Sequence, residues 1–168
     1  MVYLPKGRNK RRIVVGIEIE RKYLVVGDEW RDMGVPVRYV QGYLQNNEET
    51  VVRIRIEGEK AYLTIKGRLK GLSRKEFEYP VPVEDAREML SLCGSEIVEK
   101  QRTKIDWQGK IWEVDEFEGK NKGLLLAEIE LESEDESFSI PPWIGREVSG
   151  DPRYYNSYLA RHPFPEWE

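Results

Sequence analysis

The sequence predicts a mainly β, α+β domain built on one antiparallel sheet of eight strands with a few flanking helices. Three observations support this. Apolar and polar residues alternate along eight separate stretches, the period-two signature of strands. Turn residues separate several of these stretches, so consecutive strands follow one another as antiparallel neighbours. Helical periodicity is confined to short runs between or after them. Eight sequential strands are also enough to close a barrel, and closure removes exposed edges.

The strands are expected at about 13–25, 37–45, 50–57, 60–67, 73–82, 97–107, 110–118 and 124–132, from their alternation. Glu57-Gly58-Glu59 turns the third onto the fourth, 67–72 links the fourth to the fifth, and Gln108-Gly109 joins the sixth to the seventh. A flexible connection from Gly119 to Gly123 precedes the last strand. The clearest helix spans about 83–93, where Ala86, Met89, Leu90 and Cys93 recur at i, i+3, i+4 and i+7. Pro82 precedes it, Glu84 and Asp85 suit its N-terminus, and Gly94 suits its stop. A second, short helix is expected from Ser133, which has capping-box spacing to Glu136 and must end by Pro141-Pro142. A third is expected from Asp151-Pro152, an N-cap followed by an N1 proline, to about Arg161, with Tyr155, Tyr158 and Leu159 as its apolar face. Residues 13–168 read as one domain, preceded by a flexible basic segment, 1–12, that carries Lys6, Arg8, Lys10, Arg11 and Arg12.

Composition restricts the chemistry. The 168 residues include 27 Lys or Arg and 31 Asp or Glu, 35% of the chain, against about 25% in a typical domain. The net charge is only −4, which disfavours a basic nucleic-acid footprint. One cysteine, Cys93, excludes a disulfide framework and a multi-cysteine zinc site, and Cys93 reads as packing in an apolar helical pattern. One histidine, His162, leaves no histidine pair for metal. No apolar run approaches the roughly 18 residues of a membrane span, and no apolar stretch follows the basic N-terminus as in a secretory signal. A cytoplasmic protein with no membrane partner is expected. Chemistry then falls to carboxylates, lysines, arginines and metal ions.

Residues two apart on a strand share a face. That rule gathers eight acids (Glu18, Glu20, Glu76, Glu78, Glu113, Asp115, Glu128, Glu130) and eight bases (Lys22, Arg53, Arg55, Lys66, Arg74, Lys100, Arg102, Lys104) on one face. A solvated face accounts for any single pair of them. It accounts less well for adjacent same-sign pairs on strand after strand, because such neighbours repel unless an opposite charge sits between them. For carboxylates that partner is a divalent cation, and for Arg and Lys it is a polyanion. Oxygen donors without His or Cys select hard ions such as Mg²⁺ or Mn²⁺. A metal-complexed polyphosphate inside a polar barrel satisfies both demands.

Glu18-Ile19-Glu20-Arg21-Lys22 resembles the ExExK signature of the CYTH domain, or triphosphate tunnel metalloenzyme, superfamily. In family order follow Arg53-Ile54-Arg55, Thr64-Ile65-Lys66-Gly67, Ser73-Arg74-Lys75-Glu76-Phe77-Glu78, Glu99-Lys100-Gln101-Arg102, Glu113-Val114-Asp115 and Ala127-Glu128-Ile129-Glu130. Gln41-Gly42-Tyr43-Leu44, Pro141-Pro142-Trp143 and the later Tyr154, Tyr155 and Asn156 are similar to short stand-alone bacterial members. The resemblance runs from about residue 16 to 160 and implies a closed eight-stranded tunnel that binds a triphosphate with divalent metal. By that resemblance Glu18 and Glu20 with Glu128 and Glu130 would hold one metal. Glu78, with Glu76 close by, Asp115 and Glu128 would hold a second, which delivers a water to the terminal phosphorus. Lys22, Arg53, Arg55, Lys66 and Arg102 would contact phosphate oxygens, joined by Lys100 and Arg74. Tyr43 would help position the water. Lys22, Glu78, Asp115 and Tyr43 are thus the expected catalytic group.

Relatives often place a lysine after the Asn of the Tyr-x-Asn stretch, and here Ser157 follows Asn156. Arg153 and Arg161 are the candidates to replace it. The leading expectation is Mg²⁺-dependent hydrolysis of inorganic tripolyphosphate to pyrophosphate and orthophosphate. The alternatives are a class IV-type adenylate cyclase, a nucleoside or thiamine triphosphatase, and a non-catalytic polyphosphate-binding module. A small-molecule triphosphate is the expected partner, and the sequence leaves a homodimer open.

Overall fold

The computed structural model describes residues 14–167. The expected flexible segment, 1–12, lies outside the described residues. Eight strands form where alternation predicts them: β1 (Val14–Val25), β2 (Pro36–Asn46), β3 (Thr50–Glu57), β4 (Lys60–Gly67), β5 (Ser73–Val81), β6 (Ile97–Trp107), β7 (Lys110–Phe117) and β8 (Leu125–Glu130). They lie in the order β5-β4-β3-β2-β6-β7-β8-β1, every neighbour antiparallel, and β1 returns to pair with β5. The barrel is therefore closed. Long β1 makes closure possible: Val14–Ile19 pair with β5, and Glu20–Leu24 with β8.

The alternation puts charge inside and apolar side chains outside, so the outer wall needs cover. One helix, α1 (Val83–Ser91), covers part of it: buried Ala86 and Cys93 pack with Ile54, Ala61, Leu63 and Ile97. Gly42 of β2 permits this close approach, since a Cβ there would lie 2.7 Å from Cys93 Sγ. A second stretch of wall is covered by the loops around 26–35 and 131–148. There Trp112, fully buried, meets Tyr23, Phe138 and Trp143 edge-on at centroid distances of 5.5, 5.8 and 6.0 Å. At one end of the lumen the inward positions turn apolar. Leu24, Tyr43, Val51, Val98, Phe117 and Leu126 pack there against Val148, Tyr154, Leu159 and Ala160 of the C-terminal segment.

The connections hold the differences from expectation. No helix forms from Ser133. Glu136 instead folds back so that its carboxylate accepts from the Glu132 backbone N–H at 2.6 Å, and Phe138 is drawn onto Trp112. The run is too short to propagate past one turn before Pro141. After the prolines, a ninth strand, β9 (Ile144–Glu147), pairs with β1 at Tyr23 and Val25. The expected helix from Asp151 is broken in two. Asp151 does accept from the Arg153 N–H, but it caps only a 3₁₀ turn, Pro152–Tyr154. Tyr155 is extended (ψ 137°), and α2 (Asn156–Leu159) is a single turn. Among the described residues, no helix is long and apolar enough to cross a membrane.

Candidate active site

The charged face lines a cavity of about 370 Å³. Of the expected metal ligands, Glu18, Glu20, Glu76, Glu78, Glu128 and Glu130 border it; so do all the expected phosphate contacts, Lys22, Arg53, Arg55, Lys66, Arg74, Lys100 and Arg102. Tyr43 also borders it, buried, its hydroxyl accepting from Gln41 Nε2 at 3.0 Å. Asp115 does not reach the lining. It is 0% exposed and stands behind Arg102 and Lys100, with both carboxylate oxygens taken: Arg102 Nε donates to Oδ1, and Arg102 Nη2 and Lys100 Nζ donate to Oδ2, each at 2.6 Å.

Register explains why these charges coexist. Glu18 lies opposite Arg74, Lys66 opposite Glu76, Lys22 opposite Glu128, and Arg102 opposite Asp115. Strand neighbours therefore supply much of the counter-charge that each same-sign pair lacks on its own strand. Lys66 Nζ donates to both Glu18 oxygens at 2.8 and 2.9 Å, and Arg74 Nε donates to Glu18 at 3.0 Å. Burial alone would raise the Glu18 carboxyl, but Lys66 and Arg74 hold it down at about 2. Glu128 is likewise held well below the carboxylate range against its burial, by Lys22, Arg102 and Lys100.

The compensation is incomplete around Glu20. It lies directly across from Glu130, and Glu113 lies directly across from Glu128. Lys22 is 3.3 Å away, yet burial and the Glu128 charge push the Glu20 carboxyl up to about 7. Glu130 is raised by burial and by Glu18, Glu76 and Glu113; Glu76 is raised chiefly by burial, with Glu18 adding to it. Crowded, buried carboxylates with raised pKa values are short of positive charge. Among the described residues no three acidic side chains already converge as a chelating set, because most are turned to a lysine or arginine. Their chemistry fits a hard divalent cation nonetheless: every donor is a carboxylate oxygen, and the crowding is what such a cation relieves.

The opposite shortage lies on β3. Among the described residues, Arg53 Nε and Arg55 Nε are buried without a hydrogen-bond partner, a cost that an anion's oxygens would remove. Lys100 is short of negative charge too, brought down to about 8 by burial and then by Arg102, against the pull of Asp115.

Several lining residues had no site role assigned from the sequence. Glu57 continues the Arg53, Arg55 face by one more step, and its Oε2 lies 3.2 Å from Arg55 Nη2. The same alternation would have reached it, had the turn at Gly58 not drawn it into the loop. Gln41, fully buried, donates to Asn156 Oδ1 at 3.3 Å, and Lys100 Nζ donates to the same oxygen at 2.9 Å. Tyr39, Tyr62, Ser149 and Tyr155 also border the cavity. Arg153 and Arg161 are absent from it. They bind Asp151 and Glu96 on the surface, so neither replaces a tunnel lysine, and Ser157 borders the cavity itself.

The CYTH domain family model matches residues 16–155. The chain belongs to the CYTH domain family. Two curated relatives carry the same name, inorganic triphosphatase. That of Acetivibrio thermocellus is 47% identical over 92% of this chain and 99% of its own. That of Nitrosomonas europaea is 38% identical over 85% of this chain and 96% of its own. The crystal structure of an inorganic triphosphatase superposes with a TM-score of 0.63 at 33% identity, covering 85% of this chain and 93% of that one. The CYTH barrel therefore accounts for nearly all the described residues.

Proposed function

We propose that this chain is a divalent-metal-dependent triphosphatase that hydrolyses inorganic tripolyphosphate to pyrophosphate and orthophosphate. The observation that carries this reading is the charged cavity in which carboxylates short of positive charge face arginines whose Nε atoms lack acceptors among the described residues. The name and near-complete coverage of the two curated relatives support it. The polarity of the lining supports a small, highly charged ligand over an apolar one.

Glu18, Glu20, Glu128 and Glu130 would hold one Mg²⁺, and Glu76 and Glu78 would contribute to a second. When bound, the metal supplies neutralisation of phosphate charge and activation of water. The chain's own residues do the rest. Lys22, Lys66, Arg53, Arg55 and Arg74 bind phosphate oxygens and fix the polyanion along the lumen. Arg102 and Lys100, anchored from behind by Asp115, oppose the charge that develops on the departing pyrophosphate. Tyr43 accepts from Gln41, which leaves its own proton free to hold the attacking water.

The test is phosphate release from tripolyphosphate with Mg²⁺, with Mn²⁺ and Ca²⁺ as parallel arms and ATP as a competing substrate. Release by the wild type that does not exceed that of a Glu18→Ala, Glu20→Ala double variant refutes the reading.

A further inference from the structure

Tyr39 stands two residues before Gln41 on β2 and so shares its inward face. Its strand partners are Glu57 on β3 and Lys100 on β6, which puts it between the two arginine-bearing walls. The Arg55 Cζ lies 5.3 Å from the Tyr39 ring centroid, and the Arg102 Cζ lies 5.2 Å from the same centroid. Both fall within the range of cation–π attraction. Tyr39 is buried, so these contacts act with little solvent screening. Two guanidiniums drawn to one site repel each other, and each lowers the other's tolerance for burial. A ring whose faces are negative lies within reach of both charges without neutralising either. A carboxylate in its place would cancel the charge that an anion needs.

The two arginines differ in what else holds them. Arg102 has its donors engaged by Asp115, Glu113 and Glu128. Among the described residues, Arg55 has only longer contacts, to Glu57 at 3.2 Å and Glu78 at 3.4 Å, and its Nε lacks a partner. Arg55 therefore depends most on its aromatic neighbours, Tyr39 and also Tyr62 at 5.6 Å. We propose that Tyr39 is a positioning residue, the shared aromatic seat that holds Arg55 and Arg102 in one fixed arrangement toward the bound anion. The inference rests on reading the cavity as a polyphosphate site. It adds a wall residue whose role is to act through two residues that bind the anion.

Because the seat pre-arranges a binding group, Arg55, and a group that opposes leaving-group charge, Arg102, its loss shows in both KM and kcat. Tyr39→Leu should raise the KM for tripolyphosphate about tenfold and lower kcat as well, while Tyr39→Phe, which keeps the ring, stays within about twofold of wild type in both. Equal KM values for the Leu and Phe variants would overturn the proposal, since volume alone would then suffice. A second measurement needs no variant to fold and no turnover. In the wild type, the side-chain proton resonances of Arg55 and Arg102 should both be shifted upfield by the ring, and unshifted resonances overturn the proposal. A wild type that fails to cleave tripolyphosphate defeats the functional reading while the resonance test still decides the seat.

Discussion

Lys100 shows how a single side chain couples burial to function. It lies in the lumen wall with Arg102 on its own strand face, and among the described residues Asp115 and Asn156 accept its protons at close range. Burial and Arg102 together bring its pKa down to about 8 from an ordinary 10.5. A lysine is cationic below its pKa, so the depression moves the loss of charge into the accessible range. Affinity for a polyanion should therefore decline above about pH 8, and kcat/KM, which reports the free enzyme, should decline with it. Lys100→Arg keeps its charge throughout that range. The substituted enzyme is expected to be slower, because geometry changes, but its kcat/KM should stay level between pH 7 and pH 9.5, about one pH unit and more across the wild-type step. A decline of the same midpoint in both proteins assigns the titration to another group.

At the level of elements, α1 and β2 make one packing unit whose fit depends on an absent side chain. A methyl group on Gly42 would meet Cys93 Sγ at 2.7 Å and Ile97 Cδ1 at 2.8 Å. Ile97 Cδ1 ends a flexible side chain and can shift, but Cys93 is buried and also presents its Cβ at 2.9 Å, so the strain falls there. Gly42→Ala should cost about 1–3 kcal/mol through overpacking, read as a lower urea midpoint at unchanged slope; an unchanged midpoint would mean that α1 moves freely off the barrel. Elements of this kind were legible before any coordinates, because alternation and turn residues act locally. The eight strands and α1 follow from them. What escaped depends on distant partners: β9 exists only because β1 offers Tyr23 and Val25 an open edge, and the turn at Ser133 is settled by Trp112 capturing Phe138. The site divides in the same way. Alternation placed the charged side chains on one face, including Arg74 and Glu76. It could not show that Asp115 turns both oxygens to Arg102 and Lys100, or that Glu57, beside a turn glycine, still points inward.

Across the whole molecule, the barrel is turned inside out relative to an ordinary core, with apolar residues on the covered exterior and charge in the lumen. The lumen is nearly balanced, yet the balance is uneven in space. The excess of acid sits where Glu20 faces Glu130, and there the Glu20 carboxyl is raised to about 7. The sign of its effect on stability follows. An acid with a folded pKa above its unfolded value binds more protons when folded, so stability falls as pH rises from the unfolded value of about 4.5 to the folded one of about 7. In metal-free buffer at pH 8 the wild type carries this full penalty. Glu20→Gln removes the charge, keeps the shape, and should raise the metal-free Tm by roughly 2–4 °C for each kcal/mol relieved. Saturating Mg²⁺ should stabilise the wild type more than the variant, because a cation bound only by the folded state adds stability through mass action. The variant should then be the more stable protein without metal and the less active one with it. A Glu20→Gln protein less stable than wild type in EDTA at pH 8 would show that the Lys22 contact, at 3.3 Å, outweighs the crowding from Glu128 and Glu18. The lumen would then be a self-satisfied ion-pair network with no local need for a metal.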